Sequence, residues 1–192
     1  MGKIVRYADV ELRSLEDQDD IVEGIPIVFN RTADLGWFTE EIDPRALDEA
    51  QMDDVVLNLN HNNDVVLART TNGSLALDMR DDGVHMTSKI VRTSQGQDVL
   101  TLVKEGLINK MSFAFTVDER DGEKWETDAQ GKEHRVIKKI NRLYDVSLVT
   151  FPAYPQTSAY LRNEGDDLAE KHKALIEKRA EQDKRMKELL HE

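Results

Sequence analysis

Met111-Ser112-Phe113-Ala114-Phe115-Thr116-Val117 alternates with a period of two: Phe113, Phe115 and Val117 share one face, and Ser112, Ala114 and Thr116 share the other. That period belongs to a half-buried strand and not to a helix, whose apolar residues would recur every three to four positions. The two phenylalanines anchor such a strand in a core. The opposite, small-residue face then admits a close neighbour and is held still enough for a nucleophile to keep a productive geometry.

Working outward from this strand, the segment before it turns helical. Val99, Leu102 and Val103 group at three- and four-residue spacing from Ser94 or Gln95 to about Glu105, and Gly106 is placed to end the helix. Leu75–Met79 and Gly83–Val91 read as two strands joined through Asp82-Gly83, a pair that favours a tight antiparallel turn. Val55 to His61 alternates so that Val55, Leu57, Leu59 and His61 fall in one phase and Asn58 and Asn60 in the other. Asp43-Pro44-Arg45 puts a capping residue before a proline, which predicts a short helix through Ala50. Val22–Phe29 is strand-like, with Gly24 and Pro26 marking a bulge or edge.

On the other side, Asp118 to Arg135 is polar and charged, with Asp121-Gly122 and Gln130-Gly131, and reads as an exposed hairpin extension or mobile loop whose ends pair. Ile137 to Val149 returns to strand character, and Pro152 and Pro155 stop it. Two parts are therefore expected: a globular domain over residues 1–162 and a charged, helical tail over residues 163–192. In the tail, Leu168, His172, Leu175, Arg179, Gln182, Met186 and Leu189 follow heptad-like spacing with too few apolar members for a stable coiled coil.

Composition narrows the function. A chain of 192 residues can bury a core unaided, and its net charge of −12 disfavours nucleic acid, because no broad basic surface releases counterions from phosphates. Cysteine is absent, which removes disulfides, thiolate metal sites and a cysteine nucleophile together. No apolar run reaches the roughly 20 residues that span a bilayer, so the chain reads as soluble and intracellular, without a membrane partner. His-x-x-x-His pairs, acidic metal loops and phosphate-cradling glycine motifs are missing, so neither metal nor cofactor is expected.

Three side chains could do acyl-transfer chemistry: His61 as a general base, Ser112 as a nucleophile and Asp145 as the group that orients the base. Each has a plain structural alternative. A histidine ending an apolar strand can be a hydrogen-bonded core residue, and a strand serine often only packs. Asp145 shares a strand phase with Leu143, Ser147 and Val149, so it is expected to be partly buried and in need of a donor, which His61, Arg142, Arg69 or backbone amides could supply. His85 and His134 are rival bases, and Asp64 and Asp78 are weaker rival orienters. The Gly-x-Ser-x-Gly elbow of α/β-hydrolases is absent around Ser112.

Five ordered blocks carry a resemblance: Gly24-Ile25-Pro26-Ile27-Val28-Phe29, Phe38-Thr39-Glu40-Glu41-Ile42-Asp43-Pro44-Arg45-Ala46-Leu47, Leu59-Asn60-His61-Asn62, Met111-Ser112-Phe113-Ala114-Phe115, and Asp145-Val146-Ser147-Leu148-Val149-Thr150-Phe151-Pro152-Ala153-Tyr154. Over about residues 4 to 162 the chain resembles the HK97-type prohead (capsid maturation) serine proteases of tailed bacteriophages. The resemblance implies an α+β fold, mainly an antiparallel β-barrel ringed by a few helices as in the herpesvirus assembly proteases. It implies His61 as base, Ser112 as nucleophile and Asp145 as third member, in a position where many relatives carry Glu. It further implies a serine endopeptidase that cuts the scaffolding segment of the major capsid protein inside the immature prohead, in the host cytoplasm, with self-processing and a homodimer as associated expectations. The competing class is a noncatalytic capsid-assembly protein of the same fold.

Overall fold

The computed structural model describes residues 4–8, 13–14, 20–128 and 130–150. The proline stop after Thr150 and the charged tail lie outside the described residues. Thirteen strands and one α-helix are present among them: β1 (Ile4–Ala8), β2 (Arg13–Ser14), β3 (Ile21–Val28), β4 (Ala33–Asp34), β5 (Phe38–Ile42), β6 (Val56–Leu59), β7 (Asn62–Arg69), β8 (Leu75–Arg80), β9 (Gly83–Lys89), α1 (Ser94–Lys104), β10 (Lys110–Val117), β11 (Glu123–Thr127), β12 (Glu133–Ile137) and β13 (Ile140–Val149).

They form a five-stranded sheet in the order β1-β10-β13-β6-β7 and two four-stranded sheets, β11-β12-β5-β4 and β2-β3-β9-β8. Pairing is antiparallel except for β12 with β5 and β13 with β6. The fold is thus mainly β, as expected, but the described residues hold three sheets and a single α-helix in place of a barrel ringed by a few helices. One expected helix is absent for a visible reason. From Asp43 to Ala50 the chain makes successive turns, with Ala46 N donating to Asp43 O, Asp48 N to Arg45 O and Ala50 N to Leu47 O. The Ala46 carbonyl, which an α-helix would offer to Ala50, instead accepts from Ile140 N at 2.7 Å. A strand has taken the helix's acceptor.

The five-stranded sheet positions the site. Across it Met111, Phe113 and Phe115 of β10 stand opposite Leu148, Val146 and Leu143 of β13, and Val146 and Leu148 in turn stand opposite Leu57 and Leu59 of β6. This is the core side, with Phe113 and Phe115 stacked at 5.1 Å. Burying one such aromatic contributes about 1.5–3 kcal/mol. The two faces expected of β10 are present, but Met111 to Val117 are all buried, so the strand is covered on both sides and not half-buried.

Several local expectations hold. Helix α1 starts where Thr93 Oγ1 accepts from Gly96 N and ends before Gly106, whose φ of 71° stops it. Strands β8 and β9 form the expected hairpin, although its two turn residues are Asp81-Asp82 and Gly83 already pairs with Arg80, and β3 carries a register shift between Gly24 and Ile27 at the predicted proline bulge. The polar stretch after Asp118 is mostly exposed, as expected, and departs from expectation only at its end. It does fold back as the β11–β12 hairpin, but β12 continues into a sheet with β5, and Arg135 is fully buried. There it joins Glu40, which also pairs with Arg6 of β1, and Glu123. The buried end of the hairpin is tolerated because each buried charge has an opposite charge beside it.

Candidate active site

The other side of the five-stranded sheet carries polar groups in register. Ser112 of β10 lies opposite Ser147 of β13, and Ser147 lies opposite Asn58 of β6. All three are fully buried. One step along, Asp145 stands opposite Ala114. Simple alternation would put Asp145 with Leu143, as the sequence reading expected. A β-bulge corrects this: Phe115 pairs with Leu143 and Ala114 with Asp145, so Tyr144 is extra. The inserted residue leaves Leu143 in the core and turns Asp145 to the polar side.

His61 does not continue β6. The strand ends at Leu59, and Asn60 and His61 form a two-residue turn with φ of 52° and 56°, closed by the Leu59–Asn62 pair. Two successive left-handed residues are the requirement of a type I′ hairpin turn, and asparagine and histidine tolerate that conformation better than most. Asn60 pins the turn to the end of β13: its backbone N–H donates to Leu148 O at 2.9 Å, and its side-chain Oδ1 accepts from Thr150 N at 3.1 Å. The reversal folds the imidazole back over the Asn58 side of the sheet instead of the Leu57 side.

The ring then spans the other two candidates. His61 Nδ1 is 2.6 Å from Asp145 Oδ1, and His61 Nε2 is 2.6 Å from Ser112 Oγ. A carboxylate can only accept, so Nδ1 carries the N–H of a neutral ring, and Nε2 is left with the lone pair that faces the serine hydroxyl. Asp145 is 2% exposed and the His61 side chain 14%. The ring is therefore the partly open member of an otherwise closed set. Ser112 Oγ also donates to the Arg6 carbonyl of β1 at 2.5 Å.

The rival residues are engaged elsewhere. His85 bonds Asp82 at 2.8 Å, and His134 bonds Thr39 at 2.9 Å. Arg69 forms a two-point pair with Asp54, Asp78 pairs with Arg80, and Arg142 lies over the Tyr144 ring. Asp64 is exposed. Sequence reasoning passed over two members of the cluster. Ser147 Oγ is 3.0 Å from both His61 Nδ1 and Asp145 Oδ1 and shares a hydrogen bond with Asn58. The signal was available in Asp145-Val146-Ser147, since residues two apart on a strand face the same way.

Among the described residues, no group of three His, Cys, Asp or Glu side chains is placed to hold a metal ion, and no helix is long and apolar enough to cross a membrane. The chemistry available in the cluster is proton transfer and nucleophilic attack.

Comparisons with known proteins agree with that chemistry. The capsid assembly protease gp21 of bacteriophage T4 has a similar fold, with a TM-score of 0.54 at 12% sequence identity over 78% of this chain and 98% of the phage protein. Comparison with curated proteins returns no sequence match. The sequence profile of the caudovirus prohead serine proteases matches residues 8–171. The chain belongs to the caudovirus prohead serine protease family.

Proposed function

We propose that this protein is a serine endopeptidase of capsid maturation, with Ser112 as nucleophile, His61 as general base and Asp145 as the group that orients the imidazole. The observation that carries the reading is the imidazole held at 2.6 Å from both the Ser112 hydroxyl and the Asp145 carboxylate. Ser112 Oγ attacks a peptide carbonyl carbon as its proton passes to His61 Nε2. The imidazolium, stabilised by Asp145, then returns that proton to the leaving amine as the C–N bond breaks. Water repeats the sequence on the acyl-enzyme and restores the serine.

The substrate in this reading is the scaffolding segment of the major capsid protein, cut inside the immature prohead in the host cell. Family membership and the likeness to a capsid assembly protease support it. The reading also includes processing of the protease itself, a homodimer, a domain over residues 1–162, and a tail over residues 163–192 that targets the prohead or is removed. Co-expression with the capsid protein tests the core of it. Wild type is expected to shorten the capsid protein and Ser112→Ala to leave it whole; undiminished cleavage by folded Ser112→Ala would refute the mechanism. Fluorophosphonate labelling of Ser112, lost in His61→Ala, separates an enzyme from an assembly protein with an inert polar cluster.

A further inference from the structure

We infer that Ser147, set by Asn58, is a positioning residue for Asp145 and forms a fourth link behind the three residues proposed above. The inference rests on that reading of His61, Ser112 and Asp145 and deepens it.

Counting protons decides the direction of each bond. Ser147 Oγ has one hydrogen and three neighbours: His61 Nδ1 at 3.0 Å, Asp145 Oδ1 at 3.0 Å and the Asn58 side-chain amide. Nδ1 already carries the proton it gives to Asp145, so it cannot accept from Ser147. The Asn58 amide has two orientations. With Oδ1 toward Ser147, the hydroxyl proton is drawn to Asn58, and Asn58 Nδ2 is buried with no acceptor among the described residues. Turned by 180°, Nδ2 donates to Ser147 Oγ, and the serine proton is free for Asp145 Oδ1. Oδ1 then takes the buried position, and an under-satisfied carbonyl oxygen is the smaller penalty, since orphaned buried N–H groups are the rarer of the two.

The resulting chain is directional. Asn58 Nδ2–H donates to Ser147 Oγ, Ser147 Oγ–H donates to Asp145 Oδ1, and His61 Nδ1–H donates to the same carboxylate oxygen. Two donors on one oxygen fix the carboxyl plane and keep its charge on the ring-facing atom. The strands hold this arrangement in place, because Ser112, Ser147 and Asn58 are register partners across β10, β13 and β6. The nucleophile and the device behind its base therefore move as one row of a sheet.

The test measures the rate at which a fluorophosphonate labels Ser112 across the pH range where histidine titrates, which needs no knowledge of the peptide substrate. Ser147→Ala is expected to slow labelling about 10- to 100-fold, the usual scale for a partner that orients a reacting group. It is also expected to move the acid limb of the rate profile toward higher pH, because an Asp145 carboxylate relieved of one donor holds the imidazolium proton more firmly. Ser147→Thr, which keeps the hydroxyl, should restore both. Asn58→Leu, similar in size and without a donor, should shift the profile in the same direction by a smaller amount and stands in if Ser147→Ala does not fold. Wild-type rate and profile in folded Ser147→Ala or Asn58→Leu would overturn the inference while leaving the proposed function standing. Unchanged cleavage by Ser112→Ala would instead remove the reading on which it rests.

Discussion

The Arg6 carbonyl oxygen stands 2.5 Å from Ser112 Oγ, on the side of the serine away from β13. One hydroxyl proton serves two acceptors there, Arg6 O and His61 Nε2, and in the proposed mechanism only transfer to the histidine activates the serine. Strand β1 also lies along β10 with Tyr7 in register with Ser112, and Ser112 is fully buried.

It follows that loss of β1 from β10 should unmask the serine. A chain starting at residue 9 is expected to react faster with a fluorophosphonate, by roughly tenfold for each 1.4 kcal/mol of docking free energy removed. Arg6→Ala should act in the same direction, because Arg6 is tied by two bonds to buried Glu40. Equal or slower labelling in both folded variants would show that β1 supports the site instead of covering it.

Asp145→Asn is a sharper test of the base. An amide in place of the carboxylate can donate to Nδ1, which stabilises the tautomer with its proton on Nε2, facing the wrong way. The expected loss in turnover is about 10⁴-fold with secondary structure intact, measured on any cleavable peptide and checked by circular dichroism. A loss below tenfold would mean that Asp145 only satisfies a neighbouring group.

Much of the fold was legible because two-residue periodicity survives in the strands that build the core. Ser112 against Phe113, the hairpin between β8 and β9 and the Gly24–Pro26 bulge all follow from local chemistry. The failures share a different cause, which is pairing between distant segments. Asp145 leaves the Leu143 phase through a bulge set by its register with β10. His61 leaves the Leu57 phase through a turn that Asn60 closes against Thr150. Arg135, at the end of a stretch read as exposed, is instead buried against Glu40 at 2.9 Å. The three proposed site residues were singled out by residue type and by the resemblance of the blocks around them; Asn58 and Ser147, whose partners lie across strands, were given no part in the site.

That buried charge network makes a pH prediction. Burial pushes the Glu40 carboxyl up, but the Arg6 and Arg135 guanidinia outweigh it and hold the group below its ordinary value of 4.5. A folded-state value below the unfolded one means the stabilisation is fully present above about pH 4.5 and is lost as the pH falls through the lower, folded value. Glu40→Gln leaves two guanidinium groups buried with less compensation and is expected to cost about 3–5 kcal/mol at neutral pH. Urea unfolding of both proteins at neutral pH and at pH 4 and below should show the gap narrowing with acid. A gap that stayed constant would assign the loss to packing.

The Asn60 turn separates conformation from anchorage. Glycine at residue 60 takes a φ of 52° without strain but cannot accept from Thr150 N, whereas valine both loses the bond and meets a left-handed penalty of about 1–2 kcal/mol. Asn60→Gly should therefore unfold at nearly the wild-type temperature yet label at Ser112 more slowly, because His61 is carried by the next residue of the same turn. A displacement of the imidazole by about 1 Å can reduce rate by 10²-fold, far more than the single lost hydrogen bond, about 0.5–1.5 kcal/mol, reduces stability. Asn60→Val should lose both. Equal labelling by Asn60→Gly and wild type would show that the β6–β7 backbone alone aims His61, and that the Thr150 contact only closes the hairpin.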